Sequence, residues 1–359
     1  MDHERFMRLA LKLAARGAGK TSPNPAVGSV IVKNGRVIAE GYHKKAGGPH
    51  AEAAALATLK NGAKDATLYV TLEPCCHFGR TPPCTDAIIN SGIKKVVIGT
   101  VDPNPKVSGK GISLLKAAGV LVASGVLERE CRKLNEAYNR YMTGKVPFVT
   151  LKLAQTLDAR TAAAGGESKW ITGEASRALV HRMRSRADAV MVGSSTVLKD
   201  DPMLNVRHVG GKNPLKVVLD STLKTPLTAR VFKGGGLLIF TTRAALPSKI
   251  RKAVSAGAEV IVVPASKDGI DLKRVLRELK KREVVSVLAE AGGTLAASLL
   301  RGGLVDKLSV FISPTVIGSE GFPAVGPLGV KMLKDALRLT DTTVKRAGTD
   351  ILVEGYVRK

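Results

Sequence analysis

Cysteine is scarce in this chain: 359 residues contain 4, too few for the disulfide framework that holds small secreted domains together. That usage fits a reducing compartment, and a cytoplasmic protein is expected. Aromatic residues make up only 4% and tryptophan occurs once, which argues against a broad platform for stacking nucleic-acid bases. Acidic residues are also few, 30 against 56 Lys and Arg, for a formal charge of +26. The excess is spread along the chain without a basic tail. Such a field draws phosphorylated small molecules as well as nucleic acid. With aromatics so sparse, no nucleic-acid partner is expected. Long apolar runs are missing too. The most apolar stretch, Val284 to Leu300, contains Glu290, Gly292 and Gly293 and reads as strand, turn and helix, so no membrane association is expected. The charged start, Met1 to Arg5, has no apolar leader core.

What is present begins with two clusters, His50-Ala51-Glu52 and Pro74-Cys75 followed by Cys84. One imidazole and two thiolates suit a catalytic zinc site with its fourth position open to water, and Glu52 beside them is free to move protons. H-x-E followed by P-C-x-x-C is the pattern of zinc deaminases acting on nucleobases, although here eight residues separate the cysteines instead of two. Local context agrees. Gly47-Gly48-Pro49 breaks the chain before a helix-forming run over 51–60, Thr67 to Leu72 reads as a strand, and a second helix starts after Cys84. The alternatives are a buried histidine with unrelated cysteines, or a closed structural site with His77 as fourth ligand.

Helix and strand alternate through the first part. Phe6, Leu9, Ala10, Leu13 and Ala14 form one face of a helix. Strands over 27–32 and 36–39 flank the Asn34-Gly35 turn. A helix over 85–91, a strand over 95–99 and a helix over 128–142 follow. Thr143 to Pro147 interrupts the pattern, so the domains are placed at 1–144 and 145–359. The second half alternates again, with strands near 148–153, 188–192, 215–219, 236–240, 259–263, 284–289, 308–312 and 351–357. Helices fit 173–186, 249–256, 271–281 and 295–301. The fold class is α/β throughout.

A second site is expected in the second half. Glu290-Ala291-Gly292-Gly293-Thr294 runs from a strand through paired glycines into a helix, where backbone N–H groups can approach an anion. Gly193 to Thr196, Asp220-Ser221 and Thr241 to Arg243 also follow strands. Together they suggest a dinucleotide lying across several strand ends, though not on a G-x-G-x-x-G fingerprint. Arg184 and Arg207 add cations suited to phosphate. Trp170 has core packing as its plain alternative.

The whole chain resembles the bifunctional riboflavin-biosynthesis deaminase–reductase family. The resemblance rests on Pro23 to Gly28, Pro49 to Glu52, Thr71 to Cys84, Asp102 to Pro105, Leu151 to Ala154, Ser168 to Thr172 and Thr196 to Pro202. It implies a cytidine-deaminase-like three-layer domain followed by a dihydrofolate-reductase-like domain. It also implies two reactions: zinc-dependent deamination of a diaminopyrimidinone ribosylamine 5'-phosphate, then reduction of its ribosyl chain by NADPH. His50, Cys75 and Cys84 would ligate Zn2+, one ion per deaminase domain, with Glu52 catalytic. Asn24, His43 and Arg80 would contact the deaminase substrate. Ala154, Trp170, Thr196, Asp200, Ser221 and the run Gly292, Gly293, Thr294, Leu295, Ala296, Ala297, Ser298 would contact NADPH. Ser168, Arg184, Leu204, Arg207 and Glu290 would hold the reductase substrate, the arginines facing its phosphate. Lys152 and Asp200 are both candidate proton donors. A homo-oligomer is expected. Two departures stand out. Cys76 replaces a usual serine and is expected not to bind zinc. Ala159 replaces a usual glycine, so a turn there that needed positive φ would have to differ.

Overall fold

The structure, a computed structural model, describes residues 2–60, 62–78, 82–267 and 269–358. The chain divides into two compact units, Met1–Lys145 and Val146–Lys359.

The first unit opens with helix α1 (His3–Ala15), capped by the Asp2 carboxylate, which accepts from the Arg5 N–H at 3.1 Å. It continues through β1 (Gly28–Lys33), β2 (Arg36–Tyr42), α2 (Ala51–Leu56), β3 (Thr67–Leu72), α3 (Cys84–Asn90) and β4 (Lys95–Thr100), then α4 (Lys110–Ala117), β5 (Leu121–Ser124), α5 (Glu128–Leu134) and α6 (Glu136–Thr143). The five strands lie in the order β2-β1-β3-β4-β5. β1 is antiparallel to both neighbours, and β3, β4 and β5 run parallel. Asn34 and Gly35 both take positive φ, 52° and 74°, as a tight Asn-Gly hairpin requires. β3 is buried at every position because helices cover both faces. Phe6, Met7, Leu13 and Cys131 from α1 and α5 pack on one face. Ala51, Ala55, Ile88, Leu115 and Tyr138 pack on the other. A Cβ at Gly41 would strike the Ala51 carbonyl, so glycine there lets α2 lie close on the sheet.

The second unit holds β6 (Phe148–Thr156), α7 (Glu174–Arg186), β7 (Ala189–Gly193), α8 (Ser194–Asp200), β8 (Leu215–Leu219), β9 (Leu237–Thr241) and α9 (Pro247–Ser255), then β10 (Ala258–Val262), α10 (Leu272–Lys281), β11 (Ser286–Glu290), α11 (Gly293–Arg301), β12 (Lys307–Ser313), β13 (Leu339–Ala347) and β14 (Asp350–Val357). These nine strands form one sheet, ordered β10-β9-β8-β7-β11-β6-β12-β14-β13. All pairings from β10 to β12 are parallel, and the last three strands are antiparallel. Strand order breaks around β11, where β7 and β6 flank a strand from much later in the chain. That is a switch point of the kind where α/β sheets bind ligands.

Three expectations need correction. The helix expected over 51–60 ends at Leu56. The helix expected over 128–142 is two helices, broken at Asn135, whose backbone is not helical (φ −110°, ψ 27°). The Ala159 turn does not differ from a positive-φ turn: Ala159 itself adopts φ 61°. Its N–H still closes on the Thr156 carbonyl at 3.0 Å, which holds the turn despite the Cβ.

Candidate active sites

The first site forms where β3 ends and two helices begin. His50 is the N-cap of α2, Glu52 lies in its first turn, and Cys84 is the first residue of α3. His50 Nδ1 lies 3.4 Å from Cys75 Sγ and 3.3 Å from Cys84 Sγ, and all three ligand atoms fall within 4.8 Å of one another. Zinc bonded tetrahedrally at about 2.0 Å to nitrogen and 2.3 Å to sulfur needs N···S separations of about 3.5 Å. The residues therefore fit the ion. Neither His77 nor Cys76 belongs to this group. A hydrogen bond from Cys84 holds the Cys75 thiol down, and the same contact together with burial pushes the Cys84 thiol up. Glu52 is 3% exposed. Burial pushes its carboxyl up to about 7, and the Cys75 charge adds to that. A carboxyl tuned there both accepts and returns a proton.

Asn24 and His43 meet beside the ligands. Asn24 Nδ2 lies 3.1 Å from His43 Nε2, and His43 Nδ1 donates to the Pro49 carbonyl at 2.9 Å. The His43 ring stands edge-on to His50, with centroids 5.3 Å apart. His43 is 2% exposed with both nitrogens engaged. Asn24, by contrast, is only half-buried. Arg80 lies outside the described residues. Sequence reasoning missed Glu73, which is buried and accepts from the backbone N–H groups of Asp102, Gly109 and Ile112 at 3.2, 2.9 and 3.1 Å. Its place next to Pro74-Cys75 was the available signal.

The second site lies at the switch point. Register sets Glu290, the last residue of β11, opposite Lys152 on β6. Lys152 Nζ is 3.9 Å from Glu290 Oε2, and burial pushes the Lys152 ammonium down while Glu290 opposes the shift. Arg184 donates Nε and Nη2 to Glu290 at 2.5 and 2.9 Å and Nη1 to the Asn205 carbonyl at 3.1 Å. Burial pushes Glu290 up, but the Arg184 charge and hydrogen bonds together with the Lys152 and His181 charges overcome it and hold the carboxyl at about 2. Arg184 thus spends Nε, Nη1 and Nη2 on protein groups of this chain. Arg207 uses Nη1 on Asn205 Oδ1 at 2.9 Å, and its N–H donates to His181 Nδ1 at 3.1 Å. His181 was missed, although it sits one helical turn before Arg184.

Asp200 ends α8, where its Oδ1 accepts from the Ser168 hydroxyl at 3.0 Å. Thr196 lies on the same helix, and Ala154 on β6. Trp170 is 71% exposed and carries the Arg177 guanidinium 4.7 Å over its ring, so the core-packing alternative is excluded. Leu204 is buried at φ 53°. Gly292 caps α11, and Gly293, Thr294 and Leu295 form its first turn. Ser298 follows one turn later, while Ala296 and Ala297 turn into the core. Ser221 follows β8, and its carbonyl accepts the hydroxyls of Thr241 and Thr242.

A metal-ready His–Cys–Cys site in a three-layer unit, with a separate strand-edge site in a mostly parallel unit, defines a zinc deaminase joined to a reductase. Family models agree: one for the cytidine and deoxycytidylate deaminase zinc-binding region matches residues 1–100, and one for the RibD C-terminal domain matches residues 147–353. The chain is 45% identical to the riboflavin biosynthesis protein RibD of Aquifex aeolicus over 97% of this chain and 96% of that one. Identity to the RibD of Escherichia coli is 39%, over 98% of each. Among solved structures, RibD of Acinetobacter baumannii superposes with a TM-score of 0.91 at 38% identity, covering 99% of both chains. The diaminohydroxyphosphoribosylaminopyrimidine deaminase and 5-amino-6-(5-phosphoribosylamino)uracil reductase of Thermotoga maritima gives 0.86 at 40%, again covering 99% of both. The chain belongs to the RibD family of riboflavin biosynthesis. It is a bifunctional deaminase and reductase that uses zinc and NADPH, and its second unit has the dihydrofolate-reductase-like fold. No helix among the described residues is long and apolar enough to cross a membrane.

Proposed function

We propose that the first unit deaminates a 2,5-diaminopyrimidinone ribosylamine 5'-phosphate and that the second unit reduces the ribosyl chain of the product to ribityl. The observation that carries this reading is the convergence of His50, Cys75 and Cys84 beside a buried Glu52. His50, Cys75 and Cys84 hold zinc, which when bound supplies Lewis acidity that brings a water's pKa to about 7. Glu52 takes the first proton from the attacking water and delivers it to the ring nitrogen, then carries the remaining hydroxyl proton to the amine, so that the C–N bond breaks, a C=O forms and ammonia departs. Asn24 orients the pyrimidine, and Glu73 fixes the loop from Asp102 that forms part of the surroundings.

In the second unit, NADPH supplies hydride to C1' when bound. Gly292 to Leu295 and Ser298 of α11, with Thr196 and Ser221, hold it, and Trp170 offers a flat exposed face. Lys152 is the proton donor in this reading. Its ammonium sits against Glu290 and is eased toward proton release by burial, whereas Asp200 is occupied by Ser168. Ser168, Arg207 and the Leu204 backbone hold the substrate, with Arg207 on its phosphate. Arg184 fixes Glu290. The protein works in the cytoplasm as a homo-oligomer, a location supported by its free cysteines.

A mass-resolved assay of zinc-loaded protein tests both steps. A gain of about one mass unit without NADPH, and about two more with it, establishes deamination before reduction. Reduction preceding deamination, or no mass change, refutes the reading.

A further inference from the structure

We infer that Asn135 is a positioning residue of the deaminase site, acting on substrate affinity through the chain segment that carries Asn24. The inference rests on the reading of Asn24 as a substrate contact. Asn135 interrupts what would otherwise be one helix from α5 to α6, and it is 5% exposed. Its side-chain amide grips one residue at two points: Oδ1 accepts from the Ala26 N–H at 2.8 Å, and Nδ2 donates to the Ala26 carbonyl at 2.9 Å. These are the bonds a neighbouring strand would make. Ala26 needs them because it is buried and β1 begins only at Gly28.

The next two residues are held by other elements. The Val27 carbonyl accepts from the His43 N–H at 2.9 Å, and the Gly28 N–H donates to Thr71 Oγ1 at 3.2 Å. Asn24, two residues before the clamp, is thereby set against His43 and beside the metal-ligand His50. Asn135 itself is not in the metal-ligand group. Its influence on chemistry runs through where Asn24 sits and leaves the attacking water and Glu52 untouched. Loss of the clamp therefore raises KM and spares kcat.

The test is deamination kinetics and zinc stoichiometry on the full zinc-loaded chain for Asn24→Ala, Asn135→Ala and the double variant. NADPH-dependent reduction by the same preparations serves as an internal control. Each single change is expected to raise deaminase KM about tenfold with kcat within about twofold. The double variant is expected to be no worse than the more affected single, because the two residues act in series. Zinc stays stoichiometric and reduction is unchanged. Asn135→Asp, which keeps the acceptor but sets an oxygen against the Ala26 carbonyl, is expected to behave like Asn135→Ala if the latter folds poorly. A raised KM in Asn24→Ala with wild-type KM in Asn135→Ala and Asn135→Asp overturns this inference alone. So do multiplicative effects in the double variant, or loss of zinc in both Asn135 variants. An unchanged KM in Asn24→Ala overturns the reading of Asn24 and the inference with it.

Discussion

Ala159 turns the chain after β6 in a left-handed conformation that costs an L-residue about 1–2 kcal/mol. Glycine there would lose that strain and give back about 0.5–1 kcal/mol in unfolded-state freedom. Ala159→Gly is therefore expected to stabilise the second unit by about 0.5–1 kcal/mol, and a lowered melting temperature would contradict this. Glu52→Gln keeps the ligand set and removes the proton carrier. Deaminase kcat should fall about 10²–10⁴-fold, with zinc content and reductase rate unchanged. Cys76→Ser should retain zinc and both activities, since Cys76 lies outside the ligand group; metal analysis after dialysis decides it. At this scale the sequence was informative. The ligands sit at a strand end and two helix starts, which local patterns reveal. The commitment of Arg184 to Glu290 was not legible, because the partners are 106 positions apart.

Helix α7 carries both His181 and Arg184, yet Gly173 at its N-cap has no capping side chain. Asp350, from the start of β14, supplies one. Its Oδ2 accepts from the Gly173 N–H at 2.8 Å and from the Ser176 hydroxyl at 2.5 Å. Asp350→Ala leaves both donors without that partner, and a loss of ~3 kcal/mol is expected in chemical denaturation of the second unit. A loss under ~1 kcal/mol would mean that water replaces the carboxylate. Elements of regular period were legible: β3 and β8 begin and end where the sequence patterns end. The short helices α4 and α8 and the strand β13 were not, because each draws its stability from packing or pairing that only the assembled unit provides.

For the molecule as a whole, two buried groups set the acid response of the second unit. Glu290 is held near 2 in the fold against 4.5 ordinarily. His181 is pushed down to about 4 from 6.5, first by burial and then by Arg184 and Arg207. In both cases the unfolded chain binds the extra proton first, so stability rises with pH. The His181 contribution is complete above pH 6.5 and is lost as pH falls towards 4. The Glu290 contribution is complete above pH 4.5 and is lost towards 2. His181→Gln should flatten the melting-temperature profile in the upper window only, and an unchanged slope there would refute the assignment. The sequence by itself determined the candidate metal-binding cluster, the Asn-Gly hairpin, the α/β alternation and the family, because these depend on residue type and on spacings of a few positions. Only the tertiary structure decided that Lys152 faces Glu290, that Asp350 caps α7 and that Asn135 clamps Ala26. Those contacts join groups 109 to 177 positions apart, brought together by strand order and register, which no local pattern encodes.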